Sequence, residues 1–132
     1  MNSFLGEHPI VIDGSGRFNV PAKFKAIFDE KYGSNIVVCS RENYLMIYPQ
    51  KEWAETEKEV QANKDSQNEE ERRKMRQVFR NATEGEIKSG KISLPANQRE
   101  KVGILLKEEA VLIGMANSFE IWSKGRLAKE SG

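Results

Sequence analysis

The sequence predicts an α+β protein built from two copies of one β-α-β unit, with a helical insert between the copies. Three observations predict this fold class. The chain matches itself at an offset of 74 residues. Short apolar runs and glycine turns in each copy predict strands around one short helix. A charged segment between the copies carries apolar residues at helical spacing.

Two windows at the same offset indicate the internal repeat. Residues 16–22, GRFNVPA, lie over residues 90–96, GKISLPA. Without a gap, the later matches pair Val37-Val38 with Val111-Leu112, Asn43 with Asn117, Leu45 with Phe119, Ile47 with Ile121, and Tyr48 with Trp122. The matches occupy a turn glycine, a proline and apolar strand positions, where backbone geometry or packing constrains the residue. We therefore infer an internal duplication.

The elements of each copy follow in order from these patterns. A strand at 10–13, a glycine turn at 14–16 and a strand at 17–20 predict a hairpin. Pro21 opens a helix, because the first helical position needs no N–H donor, and Gly33 ends it. The apolar stripe of this helix is Phe24, Ile27 and Phe28. Further strands are predicted at 36–39 and 44–48, and in the second copy at 110–113 and 119–122.

The segment between the copies predicts two helices. Trp53 and Val60 are seven residues apart, so they share one face of the first helix. After a polar break, Ser66 to Glu69 fits an S-x-x-E capping box at the start of the second helix, whose buried stripe is Met75, Val78 and Phe79. Acidic residues come before basic ones in this helix, an order that complements the helix dipole. The charge run is typical of a solvated face, and a basic stripe for nucleic acid is the alternative.

Length, cysteine content and charge limit the class of protein. At 132 residues the chain supports one compact core. It has a single cysteine, no signal-peptide pattern at its start and no apolar run of membrane-spanning length, so we expect a soluble cytoplasmic protein without membrane contact. The net charge is only +1. If the chain binds DNA, its positive charge must be concentrated by the fold or multiplied by oligomerisation.

The sequence contains no recognisable catalytic constellation. His8 and Cys39 are the only histidine and the only cysteine, and they fall in different predicted elements. We expect His8 at the surface or rim of the protein and Cys39 as a small apolar residue of a strand. The glycine turns are too short to cradle phosphates as a Walker A loop does. We therefore expect no enzyme, metal site, cofactor or small-molecule substrate.

The feature that points to a function is the turn Asp13-Gly14-Ser15-Gly16-Arg17. Asp13 can accept backbone N–H bonds across the turn and fix its shape. Arg17 leaves the hairpin end, where a guanidinium can bind a phosphate or a guanine edge with two hydrogen bonds. The alternative is an Asp13–Arg17 pair that only stiffens the turn. The helix that follows adds Lys23 and Lys25.

Several motifs in the same order resemble the MraZ family, bacterial regulators of the division and cell-wall gene cluster. They are the D-x-x-x-R turn, the proline-started helix, Tyr48-Pro49 followed by Trp53, Glu71-Arg72-Arg73 in the insert, and Phe119 to Trp122 at the end of the second copy. The resemblance runs from about Phe4 to Trp122. Each motif alone is weakly specific, but their order together with the duplication is strongly specific.

The resemblance implies a fold, an assembly and a partner. The fold is two pseudo-symmetric AbrB-like repeats with swapped hairpins, at residues 1–50 and at 83–132 (which includes the C-terminal tail), with the helical insert at 51–82. The protein forms closed homo-oligomeric rings and is nucleoid-associated. Its partner is double-stranded DNA with repeated short boxes, which several subunits engage at once. The implied contacts to DNA are Arg17, Asp13, Ser15, Lys23 and Lys25.

The second copy departs from the family pattern. In place of another D-x-x-x-R turn it has Ile87-Lys88-Ser89-Gly90-Lys91, which lacks the aspartate and is one residue short. Lysine keeps the positive charge but not the planar fork of arginine. We expect Lys88 and Lys91 to contact phosphates, without base reading from this turn.

A second class of function fits the same resemblance. AbrB-like modules also act as antitoxins, whose main task is to bind a protein partner. Antitoxins usually carry one repeat and a disordered tail, whereas this chain has two repeats and only residues 123–132 after the last predicted strand. These features favour the DNA-binding regulator over the protein-interaction module.

Overall fold

A computed structural model describes residues 3–62 and 68–131, which form a mixed α+β fold. In these ranges the strands are β1 Glu7–Val11, β2 Arg17–Asn19, β3 Asn35–Ser40, β4 Leu45–Pro49, β5 Ala82–Glu86, β6 Lys91–Ser93, β7 Glu109–Gly114 and β8 Phe119–Ser123. The helices are α1 Ala22–Ile27, α2 Gln50–Ala62, α3 Glu69–Phe79, α4 Ala96–Lys101 and α5 Lys124–Ser131. The α+β class is therefore confirmed.

The helix of the first copy has the predicted bounds but is less regular than a single α-helix. It begins after Pro21 and buries Phe24 and Ile27. It continues as a π-helical turn over Phe28–Tyr32 and ends at Gly33, whose φ is +78°. A positive φ carries no steric cost in glycine, so this residue ends the helix as predicted.

The strands of the two copies pair with each other and do not form separate sheets. Six of them form an antiparallel sheet in the order β1-β7-β8-β4-β3-β5, and β2 pairs with β6 in a second, two-stranded sheet. The first strand of each copy thus lies on a strand of the other copy: β1 on β7, and β5 on β3. The predicted strand at 10–13 is shifted to Glu7–Val11, because the ladder with β7 runs from Glu7 to Val11.

The register relates equivalent residues of the two copies directly. Phe18 of β2 lies opposite Ile92 of β6, and Met46 of β4 lies opposite Glu120 of β8. Both pairs join residues that are 74 positions apart, the offset of the repeat. Counted inward from either edge, the large sheet therefore meets equivalent strands of the two copies in the same order. This arrangement brings the turn before β2 and the turn before β6 to the same end of the molecule.

The main core lies between the large sheet, the β2–β6 pair and α1. Its aromatic centre is Phe4, Phe24, Phe28 and Phe119, whose rings pack at centroid separations of 5.0–6.1 Å. All four side chains are buried. Burial of this kind is the dominant favourable term in folding.

The insert covers the opposite face of β3 and β4. Val37, Cys39, Met46, Tyr48 and Trp53 form a second buried cluster there. The predicted stripe of α3 is half-buried rather than buried: Val78 and Phe79 pack at the margin of this cluster. The reason is that α3 lies at the edge of the cluster, and its other faces are exposed. Ser66 of the predicted capping box lies outside the described residues, and the Asn68 side chain accepts the Glu71 N–H that starts α3.

Candidate nucleic-acid interface

The first turn, residues 13–17, is a three-residue hairpin loop held by its own aspartate. The Asp13 N–H donates to the Arg17 carbonyl at 2.8 Å, and the Gly16 N–H donates to the Asp13 carbonyl at 3.1 Å. Gly16 has a φ of +82°, and a Cβ there would lie 3.3 Å from the Leu94 carbonyl oxygen. This position therefore requires glycine on two grounds, the backbone angle and the close approach of the other copy.

The Asp13 carboxylate organises the turn from inside. Its Oδ1 accepts the backbone N–H groups of Ser15 and Arg17 at 2.8 and 2.9 Å. Its Oδ2 accepts Arg17 Nε at 3.2 Å. The backbone donors, first that of Arg17 and then that of Ser15, hold the pKa of this carboxyl below its ordinary value of 3.8; desolvation opposes them, and the charges of Arg17 and Lys91 add to the lowering.

The backbone of Arg17 is held in a strand, and its side chain is partly exposed. Its backbone is in the β2–β6 ladder, opposite Ser93, and its side chain is 49% exposed. Within the described part of the chain, its hydrogen bond to Asp13 uses Nε only. The two terminal nitrogens therefore stay available for a planar acceptor such as a guanine edge or a phosphate.

The second turn, residues 88–91, is built differently. Lys88 and Lys91 exchange both backbone hydrogen bonds around a two-residue loop. Ser89 and Gly90 have φ values of +51° and +73°, the positive pair that a type I′ turn requires. Ile12 and Ile87 donate to equivalent residues, Glu108 and Ser34, so that Lys88 stands where the first turn has Asp13.

The two turns meet at Asp13. Lys91 is in the ladder opposite Asn19, and its Nζ lies 3.8 Å from Asp13 Oδ2. One carboxylate thus serves a cation from each copy, Arg17 and Lys91. We call these three residues the first-turn cluster. It lies at the surface, with about a third to a half of each side chain exposed.

The other residues proposed from the sequence are not part of this cluster. The Ser15 side chain and Lys88 are exposed on their respective turns. Lys23 is exposed on α1, and Lys25 is paired with Asp29 on the same helix at 2.6 Å. Among the described residues, no hydrogen bond or ion pair joins Lys23 or Lys25 to the first turn.

The charges of the insert helix α3 are paired along the helix. Arg73 contacts Glu70, Lys74 contacts Glu71, and Arg76 contacts Glu69, at N–O distances of 2.5–3.9 Å. Exposed pairs of this kind are typical of a solvated helix face. The alternative of a basic stripe for nucleic acid gains no support from this pairing.

Sequence reasoning missed two cations beside the first turn. Lys107 approaches Gly14, with its Cε 3.4 Å from where a Cβ on that glycine would lie. Arg99 is buried behind Gly16: its Nη1 donates to the Ile104 carbonyl at 3.2 Å, and its Nε has no partner among the described residues. The repeat offset offered a signal for Arg99, because it aligns this residue with Lys25.

The structure separates the only histidine and the only cysteine. His8 is half-buried, with its ring against Phe24, and Cys39 is buried in the second cluster, where burial raises the pKa of its thiol. Residues 3–62 and 68–131 contain no group of three or more histidine, cysteine, aspartate or glutamate side chains placed to hold a metal ion. None of the helices in these ranges is long and apolar enough to cross a membrane.

Comparison with known proteins supports the resemblance to the MraZ family. A family model described as "MraZ protein", with the further words "antitoxin-like", matches residues 3–77. A "Transcriptional regulator MraZ" of Desulfitobacterium hafniense (strain DSM 10664 / DCB-2) is 39% identical over 129 residues, which cover 97% of this chain and 86% of the relative. Proteins of the same name from Desulforamulus reducens and Halothermothrix orenii are 38% and 36% identical, over 92% and 93% of this chain and 82% of each relative.

The geometry of the first turn predicts an acid-shifted titration of Asp13. Because backbone donors lower its pKa, the network is fully formed above about pH 4 and is lost as pH falls through the lowered pKa. NMR of the Asp13 carboxyl carbon across pH 2–6 should give a midpoint below 3.8. Arg17→Ala should leave most of the shift, since the backbone N–H groups are the larger cause. A midpoint at or above 3.8 in the wild type would contradict this geometry.

Proposed function

Because the chain belongs to the MraZ family, we propose that it is a transcriptional regulator that binds specific DNA sequences through its first turn. The observation that carries this proposal is the exposed guanidinium of Arg17, held in place by Asp13. Base reading needs a donor pair whose direction is fixed before DNA arrives, and the carboxylate supplies that direction.

Asp13 acts in this proposal through Arg17 rather than by touching DNA. A carboxylate facing phosphates would be repelled, and Asp13 is already engaged with two backbone N–H groups and two cations. Ser15 lies at the exposed apex of the loop, within reach of a phosphate or base edge. The turn is thus a rigid support for one reading side chain.

Lysines surround this reading residue in the proposed complex. Lys91 and Lys88 come from the second turn and contact phosphates, because their charge sits on the same end of the molecule as Arg17. Lys23 on α1 is exposed and takes a phosphate further along the backbone. Lys25 would have to exchange Asp29 for a phosphate, so its contact is the weakest of the set.

The finer fold assignment is also a proposal. We assign residues 1–50 and 83–132 to AbrB-like swapped-hairpin repeats and residues 51–82 to the insert. The pairing of β1 with β7, of β5 with β3 and of β2 with β6 supports the exchange of hairpins between the repeats. One chain would then present two turns side by side, as a dimer of single repeats does.

Assembly into a ring would compensate for the low net charge of a single chain in DNA binding. Two groups of exposed apolar residues lie at opposite ends of the β1–β7 pair: Leu5 and Met115 at one end, and Val11, Leu105 and Leu106 at the other. Two different patches that complement each other produce head-to-tail contacts, and these close into rings when the rotation allows. Each ring would carry several first turns, and a weak contact repeated on one DNA becomes a strong one.

The biological setting follows from the same resemblance. The proposed targets are repeated short boxes upstream of the division and cell-wall gene cluster, and the protein would work in the cytoplasm on the nucleoid, without a cofactor. The antitoxin-like wording of the family description keeps a protein-interaction module as the second candidate function. Failure of the wild type to bind DNA from upstream of its own gene would favour that candidate.

Arg17→Ala should abolish specific DNA binding while leaving the fold and the oligomer size unchanged. A bidentate base contact is worth roughly 1–3 kcal/mol per site, and a ring repeats its absence at each engaged subunit.

Lys91→Ala should weaken binding evenly across sequences and reduce the salt slope by about one for each phosphate that the lysine binds. Fluorescence anisotropy on operator and scrambled duplexes across a salt series measures both effects.

Lys58→Ala is the matched control, because Lys58 is an exposed lysine on α2 that belongs to neither turn. It should bind like the wild type. Operator binding by Arg17→Ala with wild-type affinity would contradict the assigned role, and so would a loss explained by unfolding in circular dichroism.

Leu105→Glu should break the ring into smaller species. The charge falls within one of the two apolar patches, where a neighbouring subunit would have to desolvate it. Multi-angle light scattering at micromolar concentrations gives the mass directly. Lys58→Glu places the same charge outside both patches and should leave the mass unchanged. A monomeric wild type over this range would disprove the ring.

A further inference from the structure

Lys107 has a backbone conformation that lysine rarely adopts. Its φ is +64°, in the left-handed region, where an L-residue brings its Cβ too close to the neighbouring carbonyl oxygen. The equivalent residue of the first copy, at the repeat offset of 74, is Gly33, whose φ is +78°. The backbone therefore has a positive φ at both positions, and only the second copy has a bulky side chain there.

The backbone of Lys107 is hydrogen-bonded to the residue that precedes the first turn, which belongs to the other copy. Its N–H donates to the Ile12 carbonyl at 2.7 Å, and the Ile12 N–H donates to the Glu108 carbonyl at 2.9 Å. Ile12 is the residue before Asp13. The register of these two bonds places the Lys107 side chain beside Gly14, within van der Waals distance of that position.

The side chain of Lys107 is exposed, and its charge is not used in an ion pair with the described residues. The ion pairs formed within residues 3–62 and 68–131 do not include it, whereas Arg17 and Lys91 share the Asp13 carboxylate. Gly14 offers no side chain that could cover the lysine. Besides the buried Arg99, three cations therefore lie around a turn that has a single carboxylate, and Lys107 is the one on the Gly14 side of the loop.

We propose that Lys107 is a DNA-contacting residue that binds a backbone phosphate next to the base pair read by Arg17. The steric strain at its positive φ is kept because the ammonium group is needed at this place, where glycine would fit the backbone better. The proposal rests on the proposed function of the first turn. It gives the first turn a phosphate anchor on each side, Lys91 on one and Lys107 on the other.

The test compares Lys107→Gly and Lys107→Arg with the wild type on the operator duplex across a salt series. Lys107→Gly should bind about tenfold more weakly at about 0.1 M salt, with a salt slope reduced by about one for each phosphate that Lys107 binds. Its thermal unfolding midpoint should hold or rise, because glycine takes a positive φ without steric cost. Lys107→Arg keeps the charge and should keep the salt slope.

Ala116→Gly is the matched control for the backbone change. Ala116 has a φ of +71° and lies after the far end of β7, so the variant removes the same kind of strain away from the turn. It should behave like Lys107→Gly in thermal unfolding and like the wild type on DNA. Wild-type affinity and salt slope in Lys107→Gly would overturn the proposal, as would an affinity loss accompanied by a lower unfolding midpoint.

Arg17→Ala, measured in parallel, separates this proposal from the function on which it rests. Sensitivity to Arg17 with no sensitivity to Lys107 rejects only the phosphate anchor. A wild type that does not bind the operator, or an Arg17→Ala variant that binds it normally, rejects the function of the first turn itself.

Discussion

The pairing of strands between the first and second halves of the chain is the constraint on which the rest of the molecule depends. β1 pairs with β7 and β5 with β3 over five residue pairs each, so neither copy completes its sheet alone. The Leu94 N–H donates to the Gly16 carbonyl, and the Val20 N–H donates to the Gly90 carbonyl. Each turn is therefore anchored by the other copy. Side-by-side turns follow from this pairing, and so does the contact of Lys91 with Asp13.

Within this near-symmetric frame the two copies have diverged in their chemistry. The first copy places Phe24 in the aromatic core, whereas the second has Gln98 at that position, bonded to the Val38 and Asn81 carbonyls. Lys25 is exposed enough to pair with Asp29, but its equivalent, Arg99, is buried behind the first turn. The basic residues gather around the first turn, which also has the only turn aspartate. In the proposed complex, this asymmetry gives base reading to the first turn and phosphate contact to the lysines of the second.

Local patterns were sufficient for the helix of the first copy and the self-bonded Asp13 turn, because each depends on nearby residues. They could not place β1, since the ladder joins residues about 100 apart, such as Glu7 and Ile113, and the partner strand decides which residues pair. The half-burial of Val78 and Phe79 depends on where α3 lies relative to the sheet. Lys107 was missed for the same reason: it reaches Gly14 through contacts between copies, although its alignment with Gly33 was visible in the sequence.

The division of labour between the two turns is the central claim, and site-specific photocrosslinking tests it most directly. Ser15 and Ser89 are exposed residues of the first and second turns, so a photoreactive amino acid at either one samples what that turn touches. At position 15 it should crosslink to bases in the operator and lose that pattern on scrambled DNA. At position 89 it should give weaker crosslinks that do not depend on sequence. Equal, sequence-dependent crosslinks from both positions would contradict the account.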